Sequence, residues 1–296
     1  GAAGAAVATG NDPLVGSALI SICDGIVDDL PGATIIPEKL PDVESGANMP
    51  LWAQSIRYHT CLFDLLSNVE MVRIANVEAA SLLHRGPAGH VAIATLYRPS
   101  QPFFQAQMKL VESWAELRTE RANEIVAQLT PNFALWDSIC HLKLDRRPRT
   151  AELLQLALGF ASFVETRFKH ALASPRPVEY SPGIQPMIPT PGHSAFPSGH
   201  ATESFMLARL LTLLTQNAPG NALLEERFNR LAERIAINRT VAGVHFPVDS
   251  AAGQLLGTSL ADYLVCVASC RTDAPRGANS TGWTARVFNR DQGGDE

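Results

Sequence analysis

The chain has 296 residues, 46% of them hydrophobic and 18% charged, with a formal net charge of -5. That length can bury a sizeable core in one large domain or two modest ones. The acidic balance excludes a general binder of nucleic acid or anionic membranes, which needs a basic surface, so any anion site has to be local.

The opening residues, GAAGAAVATG, lack the basic and apolar regions of a signal peptide. Residues 1–50 are mixed, with turn signals at PGAT and EKLPDVESGANMP. From Leu51 a helical period begins. Leu62, Leu65, Leu66, Val69 and Val72 fit an i, i+3, i+4 stripe, as do Phe104, Met108, Val111, Ala115, Ala122, Ile125 and Leu129. These stripes predict two long amphipathic helices, with GPAGHVAIATLYRPSQP between them as a connector. DRRPRT interrupts the pattern at 145–150, and 151–172 then reads as a more central, more apolar helix. A long loop, ASPRPVEYSPGIQPMIPTPGHSAFP, carries seven prolines, and such loops in compact domains are often functional. Helices resume over 199–214, 222–238 and 248–267, and the polar tail is expected to be irregular.

With no repeat and no βαβ alternation, the expected fold class is all-α: a helical bundle with an anion pocket in its C-terminal half. The expected organisation is a mixed segment 1–50, one helical domain over 51–270 and an irregular tail 271–296. A spanning helix needs about 18 or more consecutive apolar residues; the nearest run, 251–269, is interrupted by Gln254 and Asp262. No membrane span is therefore expected. Cys23, Cys61, Cys140, Cys266 and Cys270 are odd in number and form no CxxC pair. They read as reduced thiols, with a cytoplasmic location by default and a periplasmic or secreted one if a leader was removed.

Three short segments carry unusual chemistry. KHALASPRP places Lys169 in the last turn of a helix and Arg176 between two prolines, which present its guanidinium from a stiff loop. PSGH supplies the Ser198 hydroxyl, a close backbone approach at Gly199, and His200 at a helix start whose dipole favours an anion. NRTVAGVHFPVD brings Arg239, His245 and Asp249. Singly, each has an ordinary role: a solvated charge, a helix cap or a core histidine. Together, two arginines, a lysine, a Ser-Gly helix start and two histidines form the inventory for a tetrahedral oxyanion. Guanidinium forks match its oxygens, one imidazole attacks or coordinates the central atom, and the other moves protons.

The pattern Lys-x6-Arg-Pro, Pro-Ser-Gly-His, Arg-x5-His-x3-Asp resembles the signature joining type 2 phosphatidic acid phosphatases to vanadium-dependent haloperoxidases, over about residues 169–249. The resemblance implies that Lys169, Arg176, Ser198, Gly199 and Arg239 hold the anion's oxygens. It makes His245 the apical group, bonding vanadium in a haloperoxidase or attacking phosphorus in a phosphatase. His200 becomes the acid/base, and Asp249 orients His245 through its other ring nitrogen.

Two branches share this inventory. His193, five residues before Ser198, resembles the histidine of bromoperoxidases and directs the preferred reading to a haloperoxidase. That enzyme would use vanadate, for which phosphate can substitute, with hydrogen peroxide and bromide or iodide as partners. Thr166 stands where several haloperoxidases carry an aromatic, and Val248 is neither the Phe of haloperoxidases nor the Ser or Thr of many phosphatases, while the HFPVDSAAG context and the short spacing from His200 to Arg239 resemble the phosphatases instead. The alternative is thus a soluble phosphatase acting on a small phosphomonoester through a phosphohistidine. A non-catalytic oxyanion-binding scaffold is a further alternative. No nucleic-acid partner is expected, and the surplus of amphipathic helices predicts a homo-oligomer.

Overall fold

The computed structural model describes residues 13–26, 45–87, 89–269 and 283–289. The chain divides into two compact units, Gly1–Leu51 and Trp52–Glu296. The first contains α1 (Pro13–Ile26) and a single turn of 3-10 helix at Met49–Leu51. Cys270 and most of the tail lie outside the described residues.

The second unit begins with α2 (Gln54–Ser67) and a meander of β1 (Val69–Arg73), β2 (Ala79–Gly86) and β3 (Gly89–Tyr97), paired antiparallel in sequence order. Then come α3 (Gln101–Trp114), α4 (Arg118–Ala127), α5 (Phe133–Cys140), α6 (Pro148–Leu172) and the short α7 (Pro177–Tyr180). The long helices α8 (Gly199–Leu214), α9 (Asn221–Val241) and α10 (Pro247–Ser269) follow, and β4 (Arg286–Phe288) pairs parallel to β3.

The all-α expectation is thereby corrected: the protein is mainly helical with a small mixed four-stranded sheet. The helical stripe ending at Val72 stops at Ser67, and its last two members, Val69 and Val72, lie on β1. The supposed connector is β3. Its neighbour β2 has five buried residues among its first six, so neither strand shows the polar–apolar alternation of a half-exposed strand. The second long helix breaks at Ala115–Leu117 into α3 and α4. The tail is not wholly irregular, because Arg286 on β4 donates to Asp262 of α10 at 2.7 Å.

The sheet packs on α6 and α10, and one continuous core joins Leu82, Ile93 and Leu96 to Phe160, Phe168, Leu256 and Tyr263. Nearly every face of α8 is buried, between α9 and α10. Small residues permit this contact: a Cβ on Gly253 would overlap the Ser198 carbonyl and Ala201, and one on Gly257 would overlap the backbone of Thr202 and Met206. The start of α8 is thus locked onto the start of α10.

The expectation of no membrane span is corrected as well. Pro247–Ser269 is long and apolar enough to cross a membrane by length and composition, although half of its apolar window is buried inside the fold. Requiring an unbroken apolar run missed it, because two acidic residues, Asp249 and Asp262, do not cancel the apolarity of 23 residues. Asp262 is moreover paired with Arg209 at 2.8 Å and with Arg286.

Candidate active site

Helix α6 carries Lys169 into the site on its last buried turn. Pro148 starts the helix without wasting an N–H, and Leu154, Ala157, Phe160, Ala161, Val164 and Phe168 form the apolar face that fixes its rotation. The helix ends in a left-handed Ala173, which turns the chain into the proline loop. Lys169 is buried, and its Nζ donates to the carbonyls of Pro197 and, at 3.5 Å, Ala195. Burial pushes its pKa down, opposed by the nearby Glu165 carboxyl.

Arg176, buried at the foot of α7, is held on several sides. Its Nε donates to the His193 carbonyl at 3.0 Å and its Nη1 to the Val244 carbonyl at 2.8 Å. Nη2 lies 3.2 Å from His193 Nδ1, and Nη1 lies 3.5 Å from His245 Nε2. His193 therefore grips Arg176 from the loop while its own ring remains accessible at the surface.

Ser198 is the N-cap of α8: its hydroxyl accepts from Ala201 N–H at 3.4 Å, and its own N–H donates to the Asp249 carbonyl at 2.9 Å. A Cβ on Gly199 would overlap the Glu165 carboxyl group, so a side chain here would displace Glu165. The next residue, His200, uses Nε2 to donate to the Gln128 carbonyl at 2.9 Å, which leaves Nδ1 as its free nitrogen. Burial and the Arg239 charge hold its pKa down at about 4.

Arg239 comes from the last turn of α9 and donates through Nη2 to the Ile125 carbonyl and Gln128 Oε1, both at 3.2 Å. Its buried Nε and Nη1 have no partner among the described residues. Leaving charged donors buried and unpaired is costly, which makes them a signature of something else to be bound. Beyond Arg239 the chain reverses at Gly243, whose φ of +81° and close approach to Arg118 exclude a side chain. Arg118 ties this turn down, donating at 2.9 Å to the Val241, Ile184 and Gln185 carbonyls.

The turn delivers His245 to the start of α10. Its Nδ1 donates to Asp249 Oδ2 at 3.0 Å, and the Phe246 N–H donates to the same oxygen at 2.9 Å. The proton on Nδ1 leaves a lone pair on Nε2, which faces Arg176. Burial, reinforced by the charges of Lys169 and Arg176, keeps His245 well below its usual pKa and therefore neutral. Burial raises Asp249 to about 7, against the Phe246 hydrogen bond, and its Oδ1 has no partner among the described residues.

Arg176, His193, His245 and Asp249 are thus joined by short polar contacts. Lys169 and Ser198 meet through the Ala195–Ser198 backbone, and Arg239 and His200 meet through Gln128. Three contributors were not singled out in the sequence. Gln128, buried at the end of α4, bonds both Arg239 and His200, and nothing in its local sequence marks it. Glu165 stands one helical turn before Lys169, and Glu203 one turn after Gly199; those i, i+4 spacings were a readable signal. Burial raises Glu165 to about 7 and Glu203 to about 8. A cavity of about 30 Å³, with room for little more than a water-sized group, lies against His200, Glu203, Gln128, Trp136 and Leu158.

Residues 152–272 match the family model described as the PAP2 superfamily. A search of curated proteins finds no match. Among solved structures the chain is similar to the first transmembrane PAP2 type phosphatidylglycerolphosphate phosphatase from Bacillus subtilis. The identity is 19%, over 59% of this chain and 90% of that chain, with a TM-score of 0.46. The haloperoxidase half of the expectation drawn from the motif finds no support in these comparisons. Their content is the PAP2 superfamily domain similarity of 152–272, the stretch that holds Lys169, Arg176, His193, Ser198, Gly199, His200, Arg239, His245 and Asp249.

Proposed function

We propose that the protein is a phosphatase that hydrolyses phosphomonoesters through a phosphohistidine at His245. The observation that carries this reading is the neutral His245 Nε2 beside the Arg176 guanidinium, with Asp249 behind it and two unpaired Arg239 donors nearby. A tetrahedral dianion placed there gains charge-assisted bonds from Arg176, Arg239 and the third Lys169 hydrogen, together with the N-terminal dipole of α8.

In the first step the Nε2 lone pair forms an N–P bond as the P–O bond to the leaving group breaks in line with it. His200, protonated at Nδ1 under the influence of the bound dianion, gives that proton to the departing oxygen. In the second step His200 takes a proton from water, the water oxygen bonds to phosphorus, and the N–P bond returns its electrons to Nε2. The sum is ester plus water to alcohol plus phosphate.

The match of 152–272 to the PAP2 superfamily supports this branch over halide oxidation. His193 serves in it as a clamp on Arg176. Vanadate presents the same oxygens, so Lys169, Arg176 and Arg239 would hold it, with His245 as the apical nitrogen, and it should act as an inhibitor. The test is phosphate release from p-nitrophenyl phosphate by the purified protein, with competitive inhibition by orthophosphate and vanadate. No release, together with bromide or iodide oxidation by peroxide in the presence of vanadate, would overturn the reading.

A further inference from the structure

Lys169 has a buried acidic neighbour that the mechanism above does not use. Glu165 stands one turn earlier on the same face of α6 and is 7% exposed. Its carboxyl group lies against Gly199, the first residue of α8, where a Cβ would overlap Oε1. Oε2 is buried without a hydrogen-bond partner, and among the described residues neither an ion pair nor a hydrogen bond holds this carboxyl. A buried acid in that situation is costly as an anion and far less so once it has taken a proton.

The position matters because the start of α8 favours negative charge, and the oxyanion is expected beside it. A dianion there and a Glu165 carboxylate against Gly199 repel across a dry interior, where salt screens little. Lys169 adjoins both, but its Nζ already donates to the carbonyls of Ala195 and Pro197. Titratable groups on the other elements packed against α6 are engaged elsewhere. Arg57 of α2 pairs with Glu152 at 2.7 Å, His59 of α2 with the Ser55 carbonyl at 2.7 Å, Arg73 of β1 with the Ala171 carbonyl, and His84 of β2 with Tyr263 at 3.0 Å. On α8, His200 is turned to the Gln128 carbonyl at 2.9 Å, and on α10 Asp249 keeps Oδ2 bonded to His245 and the Phe246 N–H. Glu203 of α8 is the second acid that acts on Glu165, and it lines the groove between α2 and α6. Burial raises Glu165 to about 7 against the pull of Lys169, so its proton exchanges near neutrality.

We propose that Glu165 couples anion binding to protonation: its carboxylate takes one proton from solvent as a tetrahedral dianion settles between Lys169 and the start of α8. Glu165 is thereby a positioning residue, acting through Lys169 and α8 without touching the substrate. The probe is sulfate, which keeps its charge across the neutral range and is not consumed. Calorimetry on the wild-type protein should show sulfate binding about 10-fold or more weaker at about pH 8.5 than at about pH 6.5, because the coupled proton has to be captured from a more dilute supply. Glu165→Gln keeps the shape and removes the charge, so it should bind sulfate tighter than wild type at the higher pH and lose most of the pH dependence. If Glu165 served only to keep Lys169 charged, the same change would weaken sulfate binding at the higher pH, and that outcome overturns the proposal. An unchanged pH dependence, or no sulfate binding at either pH, overturns it too. Should Glu165→Gln not fold, infrared difference spectra on adding sulfate at the higher pH decide. A new protonated-carboxyl band in wild type that persists in Asp249→Asn and in Glu203→Gln supports Glu165, and its absence, or its loss in either variant, overturns the assignment. The inference shares only the anion cage with the phosphatase reading. If sulfate behaves as described while no phosphate is released from p-nitrophenyl phosphate, the proton coupling stands and the phosphatase reading falls.

Discussion

The two histidines at the ends of the site are held in contrasting ways. His245 is buried and fixed on both nitrogens, by Asp249 behind and Arg176 in front. His200 has one nitrogen fixed to the Gln128 carbonyl and borders a cavity, with Glu203 and the unpaired donors of Arg239 in its surroundings. A nucleophile gains from rigid preorganisation, because its target atom is the same in every phosphomonoester. The leaving-group end must instead receive a part of the substrate that varies. The nucleophile is thus the more fully bonded of the two histidines.

Leaving-group chemistry is the sharpest way to break this comparison. His200→Ala should lower kcat/KM for an alkyl phosphate by about 10²–10⁴-fold, since a positioned proton donor is lost. The first step with p-nitrophenyl phosphate should suffer less, because p-nitrophenolate departs without a proton. Pre-steady-state release of p-nitrophenol checks this, and equal damage to the first step for both substrates would contradict the assignment of the two ends. Arg239→Ala removes donors expected to grip the transferring group itself, so a loss of about 10²–10³-fold in kcat should appear with either ester. A loss confined to one leaving group would move Arg239 to the other end of the site.

Asp249→Asn should cost about 10–100-fold, with orthophosphate affinity little changed, because the substitution disorients His245 rather than emptying the cage. Steady-state kinetics beside a phosphate titration separates these effects. The smallest expected effect is on stability. The Glu203 carboxyl has its pKa raised from 4.5 to about 8 by burial, with the Glu165 charge adding to it. A raised acid contributes stability that is complete below the lower value and lost as pH climbs through the upper one. Glu203→Gln has no such loss, so its melting temperature relative to wild type should rise across that window. A pH-independent difference between the two proteins would mean that Glu203 does not sit in a dry environment.

Much of the site was legible because its residues cluster in short, stiff segments. Proline fixes the backbone around Arg176, and the serine cap with its glycine fixes the start of α8, so local chemistry points to geometry there. The sheet was not legible in the same way. Val69 and Val72 continue a helical spacing across a break at Asn68, and the buried faces of β2 and β3 suppress the alternation that marks a strand. Gln128 owes its importance to burial, which its neighbours in sequence do not reveal, whereas Glu165 and Glu203 carried a readable i, i+4 spacing to Lys169 and Gly199. The character of α10 was missed because Asp262 was counted as a bare charge, whereas two arginines distant in sequence neutralise it.

The central claim is that phosphorus passes through His245 Nε2. Wild-type protein quenched with alkali during turnover of p-nitrophenyl phosphate, then digested and read by mass spectrometry, should carry a phosphate adduct on the peptide containing His245. His245→Ala should show neither adduct nor turnover. Phosphate release by His245→Ala at a rate near that of wild type, or an adduct on any other residue, would contradict the account.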